Sequence, residues 1–186
     1  AVRRIERDHD GVDVTTDGRT ERFDAVVLAV HADQALAMLA DPAAEEAEVL
    51  AAVRWQRNVA VLHTDPSVLP RSRRAWAAWN YHRPLDDRGL PTVTYLMNRL
   101  QRLRSRETIC VTLNREHEID PAAVHASFVY HHPVFDRAAV AAQGRWDAIN
   151  GVRRTWYCGA WWGYGFHEDG AASAQRVVDS IAKVRV

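Results

Sequence analysis

The residue types best suited to chemistry crowd into the last thirty positions. Trp156-Tyr-Cys-Gly-Ala-Trp-Trp-Gly-Tyr-Gly-Phe-His-Glu-Asp-Gly170 interleaves aromatic side chains with glycines, and Ala171 to Lys183 follow. The aromatic run reads as a strand that breaks at Gly159, Gly163 and Gly165. A helix then opens with Glu168 and Asp169 in its first turn. Ala174, Val177, Val178 and Ile181 fall at i, i+3, i+4 and i+7, so the spacing predicts one apolar helical face. At such a turn, unpaired N–H groups point out of the helix start and no bulky side chain blocks a polar ligand. The turn suits the electron-rich edge of a ligand. Plain strand–turn–helix packing uses glycine in the same way, and the residues alone leave both readings open.

Other chemistries find less support. The nine histidines include His131-His132, His125, His117 and His63-x-Asp65, none with compact ligand spacing. Adjacent His131 and His132 would point to opposite faces of a strand, so no metal site is expected. The serines at 67, 72, 105, 127, 173 and 180 lie in no Gly-x-Ser-x-Gly elbow, which argues against a hydrolase of that type.

Composition places the chain among folded segments: 186 residues, 47% of them apolar, can bury a core. Lys+Arg and Asp+Glu balance at 24 each, so global charge points neither to nucleic acid nor to an acidic membrane surface. The stretch Arg99 to Arg106 reads as a solvated turn, and no nucleic-acid partner is expected. No apolar run is long enough to span a bilayer. Cys110 and Cys158 sit in separate apolar runs and read as buried thiols of a reducing compartment, which makes the cytoplasm the expected location.

The elements that must position the glycine-rich turn follow from periodicity and punctuation. Val2 to Arg7, Val12 to Thr16 and Arg22 to Phe23 form a β-meander across Asp10-Gly11 and Asp17-Gly18. Asp24 to Val30 is a continuous apolar run of the kind buried in a parallel sheet. A helix begins at His31 with Leu36 and Leu39 inside, and a second covers Ala43 to Val53 after Pro42. Strands are expected at Val59 to His63, Ala75 to Tyr81, Thr92 to Met97, Thr108 to Leu113 and Ala126 to Tyr130. Pro66, Pro70, Pro84, Gly89, Pro91 and Pro121 between them suggest antiparallel connections. A helix from Asp136 to about Ile149 returns the chain to the turn.

Three segments carry a family resemblance: Gly165-Phe-His-Glu-Asp-Gly170, Thr94-Tyr-Leu-Met-Asn-Arg-Leu-Gln101 and His132-Pro-Val-Phe-Asp136. Together they resemble a bacterial subfamily described as predicted NAD/FAD-binding oxidoreductases, within the flavin-containing amine oxidase superfamily. Gly165 to Val178 can be laid on that superfamily's Gly-Tyr-Met-Glu-Gly-Ala helix start without a gap. The resemblance implies an α+β fold (an α/β fragment). A mostly antiparallel substrate-domain sheet would join a β-meander, strand and C-terminal helix of an incomplete FAD-binding domain. The expected parts are residues 1–40, partial FAD-binding domain; 41–153, substrate domain; and 154–186, return to the FAD-binding domain. No strand followed by Gly-x-Gly-x-x-Gly is present. The chain is therefore expected to be roughly the second half of a longer flavoprotein, inactive alone and binding FAD only with a preceding part.

Roles follow from the same resemblance. Gly159, Gly163, Gly165, Phe166, His167, Glu168, Asp169, Gly170 and Ala171 would contact the cofactor. Gly163 and Gly165 would admit the isoalloxazine, and the N–H groups near Asp169, Gly170 and Ala171 would face its pyrimidine edge. Phe166 would stand over the ring without offering a hydroxyl. Trp161, Trp162 and Tyr164 would line the substrate pocket with Phe166, at least one of them serving as core packing instead. Ala174 replaces a glycine common in the family helix. No catalytic residue is assigned. Many amine oxidases hold a lysine near the flavin, and the single lysine here, Lys183, ends the last helix. That weakens amine oxidation and leaves room for desaturation of an apolar fatty-acyl or isoprenoid-like chain; a non-catalytic binding module is the competing class. A small-molecule substrate and self-association through exposed sheet edges complete the expectations.

Overall fold

The computed structural model describes residues 1–83 and 92–183. The expected punctuation at Pro84, Gly89 and Pro91 lies outside the described residues. The strands in chain order are β1 (Val2–Arg7), β2 (Val12–Thr16), β3 (Thr20–Phe23), β4 (Val26–Leu28), β5 (Trp55–His63), β6 (Trp79–His82), β7 (Thr92–Leu96), β8 (Cys110–Leu113), β9 (Val124–Pro133) and β10 (Thr155–Tyr157). The helices are α1 (Ala32–Met38), α2 (Ala44–Ala52), α3 (Met97–Leu100), α4 (Arg137–Gln143), α5 (Trp146–Ile149) and α6 (His167–Lys183). The fold is α+β. Two compact units divide it: residues 1–55 with 133–186, and residues 56–132.

In the first unit β1, β2 and β3 form an antiparallel meander. Its first turn is tied by Asp8, whose Oδ1 accepts from the N–H groups of Asp10 at 2.8 Å and Gly11 at 2.9 Å. Aspartate favours such turns because its short carboxylate reaches the backbone two residues on. Strand β4 pairs in parallel with β10, which brings the distant Thr155–Tyr157 segment beside Val26–Leu28. Helices α1, α2, α4 and α5 pack around Ile5, Leu28, Val49, Leu50, Ile149 and Tyr157, all buried. A second cluster joins Trp146, Trp156 and Cys158 to Val177 of α6. Inside the unit Arg7 of β1 donates twice to Glu46 of α2, at 2.5 and 2.8 Å, and Tyr157 of β10 donates to the same carboxylate at 2.7 Å. Both ionic side chains are essentially without solvent contact.

The second unit is a five-stranded sheet in the order β6-β7-β8-β5-β9, with β6–β7, β7–β8 and β5–β8 antiparallel. Alternation sends Thr94, Thr112 and His63 to one buried face, as the period of two requires. There His63 Nε2 meets Thr112 Oγ1 at 2.7 Å and Thr112 meets Thr94 at 2.9 Å. The Asp65 N–H reaches His63 Nδ1 at 3.2 Å, so Nδ1 accepts and Nε2 carries the proton. Burial pushes the His63 pKa down.

Several expected elements differ. The helix expected over 136–149 is two, α4 and α5, separated at Gly144, whose N–H turns back to Ala141 O at 3.2 Å. The strand expected at Ala75 starts only at Trp79, because Arg73–Ala75 closes a 3-10 turn. The aromatic strand ends at Tyr157, and Ala160–Trp162 is a 3-10 turn, since Gly159 at φ 154° leaves the extended ladder. On α6 the buried face runs through Ser173 and Val177, while Val178 and Ala174 are exposed. The apolar stripe is rotated because Ser173 Oγ bonds Gly159 N–H and Gly170 O, which carries this serine inward. Helix α2 and residues 133–153 pack in the first unit.

Candidate functional site

The turn after β10 is held by its own side chains. Gly159 donates its N–H to Ser173 Oγ at 2.9 Å, and the Trp161 indole donates to Val30 O at 3.1 Å, tying the turn to the segment just after β4. Gln143 of α4 donates to both Trp161 O (3.0 Å) and Gly163 O (2.7 Å). Asp169 Oδ2 accepts from Tyr164 N–H at 3.0 Å and Phe166 N–H at 2.9 Å. A carboxylate in the first turn that reaches back to the preceding N–H groups is half of a capping box.

These bonds explain two of the glycines. A Cβ at Gly163 would meet Asp169 Oδ1 at 2.5 Å, and one at Gly159 would meet the Trp161 Nε1 at 2.7 Å. Gly165 is different: its φ of 88° lies in the left-handed region, and only Phe135 approaches it, at 3.6 Å.

Two cavities flank the turn, both within the first unit. The larger, about 260 Å³, is lined by Val30, His31, Trp55, Gly159, Trp161 and Gly165, among others. His31 stacks on Trp55 with ring centroids 3.6 Å apart and planes 10° from parallel. The Trp55 Nε1 is buried and has no hydrogen-bond partner among the described residues. Flat walls and a side-chain-free backbone at Gly165 together suit a planar ring. The second cavity, about 200 Å³, is lined by Trp146, Trp162, Gly163, Asp169, Ser173 and Arg176. There the Arg176 guanidinium lies 3.9 Å over the Trp146 ring.

The sequence-predicted residues are thus divided. Gly159, Trp161 and Gly165 meet at the larger cavity; Trp162, Gly163 and Asp169 line the smaller. Trp161 is also part of the first unit's core. Tyr164, Phe166, His167, Glu168 and Ala171 are exposed and line neither. The Gly170 N–H is occupied by Phe166 O at 3.2 Å. Val30, His31, Trp55 and Pro133, which also line the larger cavity, were not read as site residues from the sequence, because they come from three separate stretches of chain. Cys158, beside the turn, has its thiol pushed up by burial.

In the second unit Asn58 Oδ1 accepts from Gln56 at 2.8 Å and Asn114 at 2.7 Å, and its amide nitrogen meets His132 Nδ1 at 2.8 Å. Burial, then His131, pushes the His132 pKa down. Among the described residues no group of three His, Cys, Asp or Glu is placed to hold a metal ion.

The same fold occurs in a CLA-producing fatty acid isomerase from P. acnes (15% identity, TM-score 0.63, 100% of this chain and 47% of that one). It occurs also in cyclohexylamine oxidase from Brevibacterium oxydans IH-35A (16%, TM-score 0.61, 98% and 48%). Putrescine oxidase bound to putrescine is a third (13%, TM-score 0.61, 97% and 48%). The chain spans about half the length of these structures, and at such identities the likeness establishes the fold. No curated protein matches it. The family model for flavin containing amine oxidoreductase matches residues 1–100, from the meander through β7 and α3, a span that excludes the glycine-rich turn. With more than half of its residues so matched, the chain belongs to the flavin containing amine oxidoreductase family.

Proposed function

We propose that the chain is the flavin-contacting and substrate-domain part of an FAD-dependent oxidoreductase, with hydride passing from substrate to flavin. Family membership supports the flavin class. The observation that carries the assignment of place is the cavity joining Val30, His31 and Trp55 to Gly159, Trp161 and Gly165. A flavin bound there would supply the hydride-accepting ring. This chain's residues would do the rest: His31 and Trp55 form a flat wall, and Gly165 admits the ring edge. Asp169, by holding the N–H groups of Tyr164 and Phe166, keeps the turn open. Gly163, Phe166, His167, Glu168, Asp169, Gly170 and Ala171 remain proposed as the wider cofactor rim, and Trp162 and Tyr164 as pocket residues.

A second reading, desaturation or related chemistry on an apolar chain, draws on the outer strands of the sheet. There β6 exposes Trp79 and Tyr81, and β9 exposes Phe128 and Tyr130. Lys183, the chain's single lysine, ends α6 and is exposed, which favours this reading over amine oxidation. The competing class is a module that binds ligand or partner without redox chemistry. The proposal extends to a cytoplasmic, self-associating protein whose flavin is held tightly only in the full-length polypeptide. The visible spectrum of the full-length gene product decides the class: yellow bands that bleach with dithionite are expected. A protein that stays colourless after incubation with FAD would return the turn to ordinary strand–helix packing.

A further inference from the structure

The charge of the chain is balanced in sum and segregated in space. Residues 56–132 carry eleven arginines against seven carboxylates, a net of +4, which leaves −4 on the rest. Pairing differs too. Nine of the eleven described arginines in the first unit lie within ion-pair reach of a carboxylate. Arg71, Arg73, Arg74, Arg99, Arg102, Arg104 and Arg106 of the second unit have no carboxylate partner among the described residues, and all are exposed. An arginine-rich composition accounts for the identity of these side chains; it does not account for their segregation.

The fold brings the two basic segments together. Arg99 donates to Trp76 O, directly after the Arg73–Ala75 turn, and the Arg73 guanidinium lies 5.3 Å over the Trp76 ring. Trp76 packs against Leu69, Leu96 and Cys110. The loop beyond α3 is pinned at its base, where the Asn98 side chain accepts from Ile109 N–H and donates to Glu107 O, each at 2.8 Å. The end of α3 and the loop after it, residues 99–107, are thereby presented as a continuous exposed segment. Within it Leu100 and Leu103, 42% and 38% exposed, stand between the arginines.

We propose that this face docks on the surface of an anionic phospholipid bilayer. Guanidinium groups pair well with phosphate, and each cation near such a surface adds about 1 kcal/mol, roughly fivefold in affinity. Aliphatic side chains set among cations suit insertion at the headgroup boundary. Single-stranded nucleic acid would call for open aromatic platforms. The ring set between the arginines, Trp76, is covered by Arg73, and its indole N–H is given to Pro70 O at 2.7 Å. Among the described residues no helix is long and apolar enough to cross a membrane, so the contact is peripheral. The inference is independent of the flavin reading, since docking needs no cofactor.

The test is flotation of the chain with vesicles of phosphatidylcholine alone and vesicles rich in phosphatidylglycerol, across a salt series. Binding is expected only to the anionic vesicles and is expected to weaken with salt. The triple variant R102Q/R104Q/R106Q is expected to bind on the order of 100-fold more weakly, and the corresponding lysine triple to retain most of the binding. L100S/L103S should lose the fraction that survives high salt. The control R3Q/R19Q/R137Q removes as many exposed arginines from the first unit and should bind as the parent does. Far-ultraviolet circular dichroism establishes that each variant is folded. Equal binding to neutral vesicles, an unchanged glutamine triple, a control that loses as much, or tighter binding to duplex DNA or RNA than to vesicles would each overturn the proposal.

Discussion

The Glu46 carboxylate experiences opposed influences. Burial pushes its pKa up, while the Arg7 guanidinium, the Ala43 N–H and the Tyr157 hydroxyl push it down, and the net direction is down. Tyr157 moves the other way, raised first by burial and then by the neighbouring carboxylate. A carboxylate with a depressed folded pKa contributes stability above its unfolded value, about 4.3, and loses it as pH falls through the folded value. The expected result is an acid-unfolding limb below about pH 4 that is shallower in Glu46→Gln, followed by circular dichroism. At neutral pH the same substitution is expected to cost about 3 kcal/mol in urea unfolding, because it leaves Arg7 buried without its main counter-charge. Asp41, 3.3 Å from Arg7 Nε, keeps the cost at the low end of the range for broken buried pairs. An unaltered acid limb in the variant would show that this pair is not its origin. Nothing near either residue announces the clamp in the sequence: the partners lie 39 residues apart, and each alone reads as a surface charge.

Elements that depend on neighbours in sequence were legible, and those set by distant packing were not. The meander is written in Asp10-Gly11 and Asp17-Gly18, and the strand boundaries of β1 and β2 follow from them. The inward face of α6 could not be read from apolar spacing, because Ser173 is drawn in by two backbone partners that lie outside the helical pattern. The glycine-rich turn shows the same limit. Gly163 looks like an opening for a ligand, yet its missing Cβ makes room for Asp169. A double-mutant cycle separates the two roles. Gly163→Ala is expected to destabilise by about 1–3 kcal/mol through overpacking. Asp169→Ala should cost about 1 kcal/mol through two lost N–H acceptances. The double variant should cost less than the sum, because the contacts at 2.5 and 2.6 Å go with the carboxylate and only the Cβ of residue 169, at 2.8 Å, still has to shift. Additive losses in thermal unfolding would assign Gly163 a role apart from Asp169.

At the scale of the whole molecule, the family and the α+β class could be read from short segments, whereas the candidate cavity could not. Gly159, Trp161 and Gly165 are local to one motif, but Val30, His31, Trp55 and Pro133 reach them only through the β4–β10 pairing and the return of the chain at residue 133. Balanced composition likewise hid the basic face, since a sum of charges carries no position. The size of the cavity leads to a last expectation. Pockets that enclose a drug-sized ligand run from about 300 to 1,000 Å³. At about 260 Å³ this one can receive a single ring system but not a dinucleotide. For the 186-residue chain, FAD should therefore bind weakly, and lumiflavin, the ring without its ribityl and adenylate extension, should bind within a few-fold of it. Fluorescence titration with both compounds measures this directly, and Gly165→Val, which places a branched side chain at a φ of 88° on the cavity wall, should weaken both alike. FAD binding tighter than lumiflavin by two orders of magnitude would mean that these residues also recognise the pyrophosphate or adenine. The cofactor site would then extend well beyond the cavity between β4 and the glycine-rich turn.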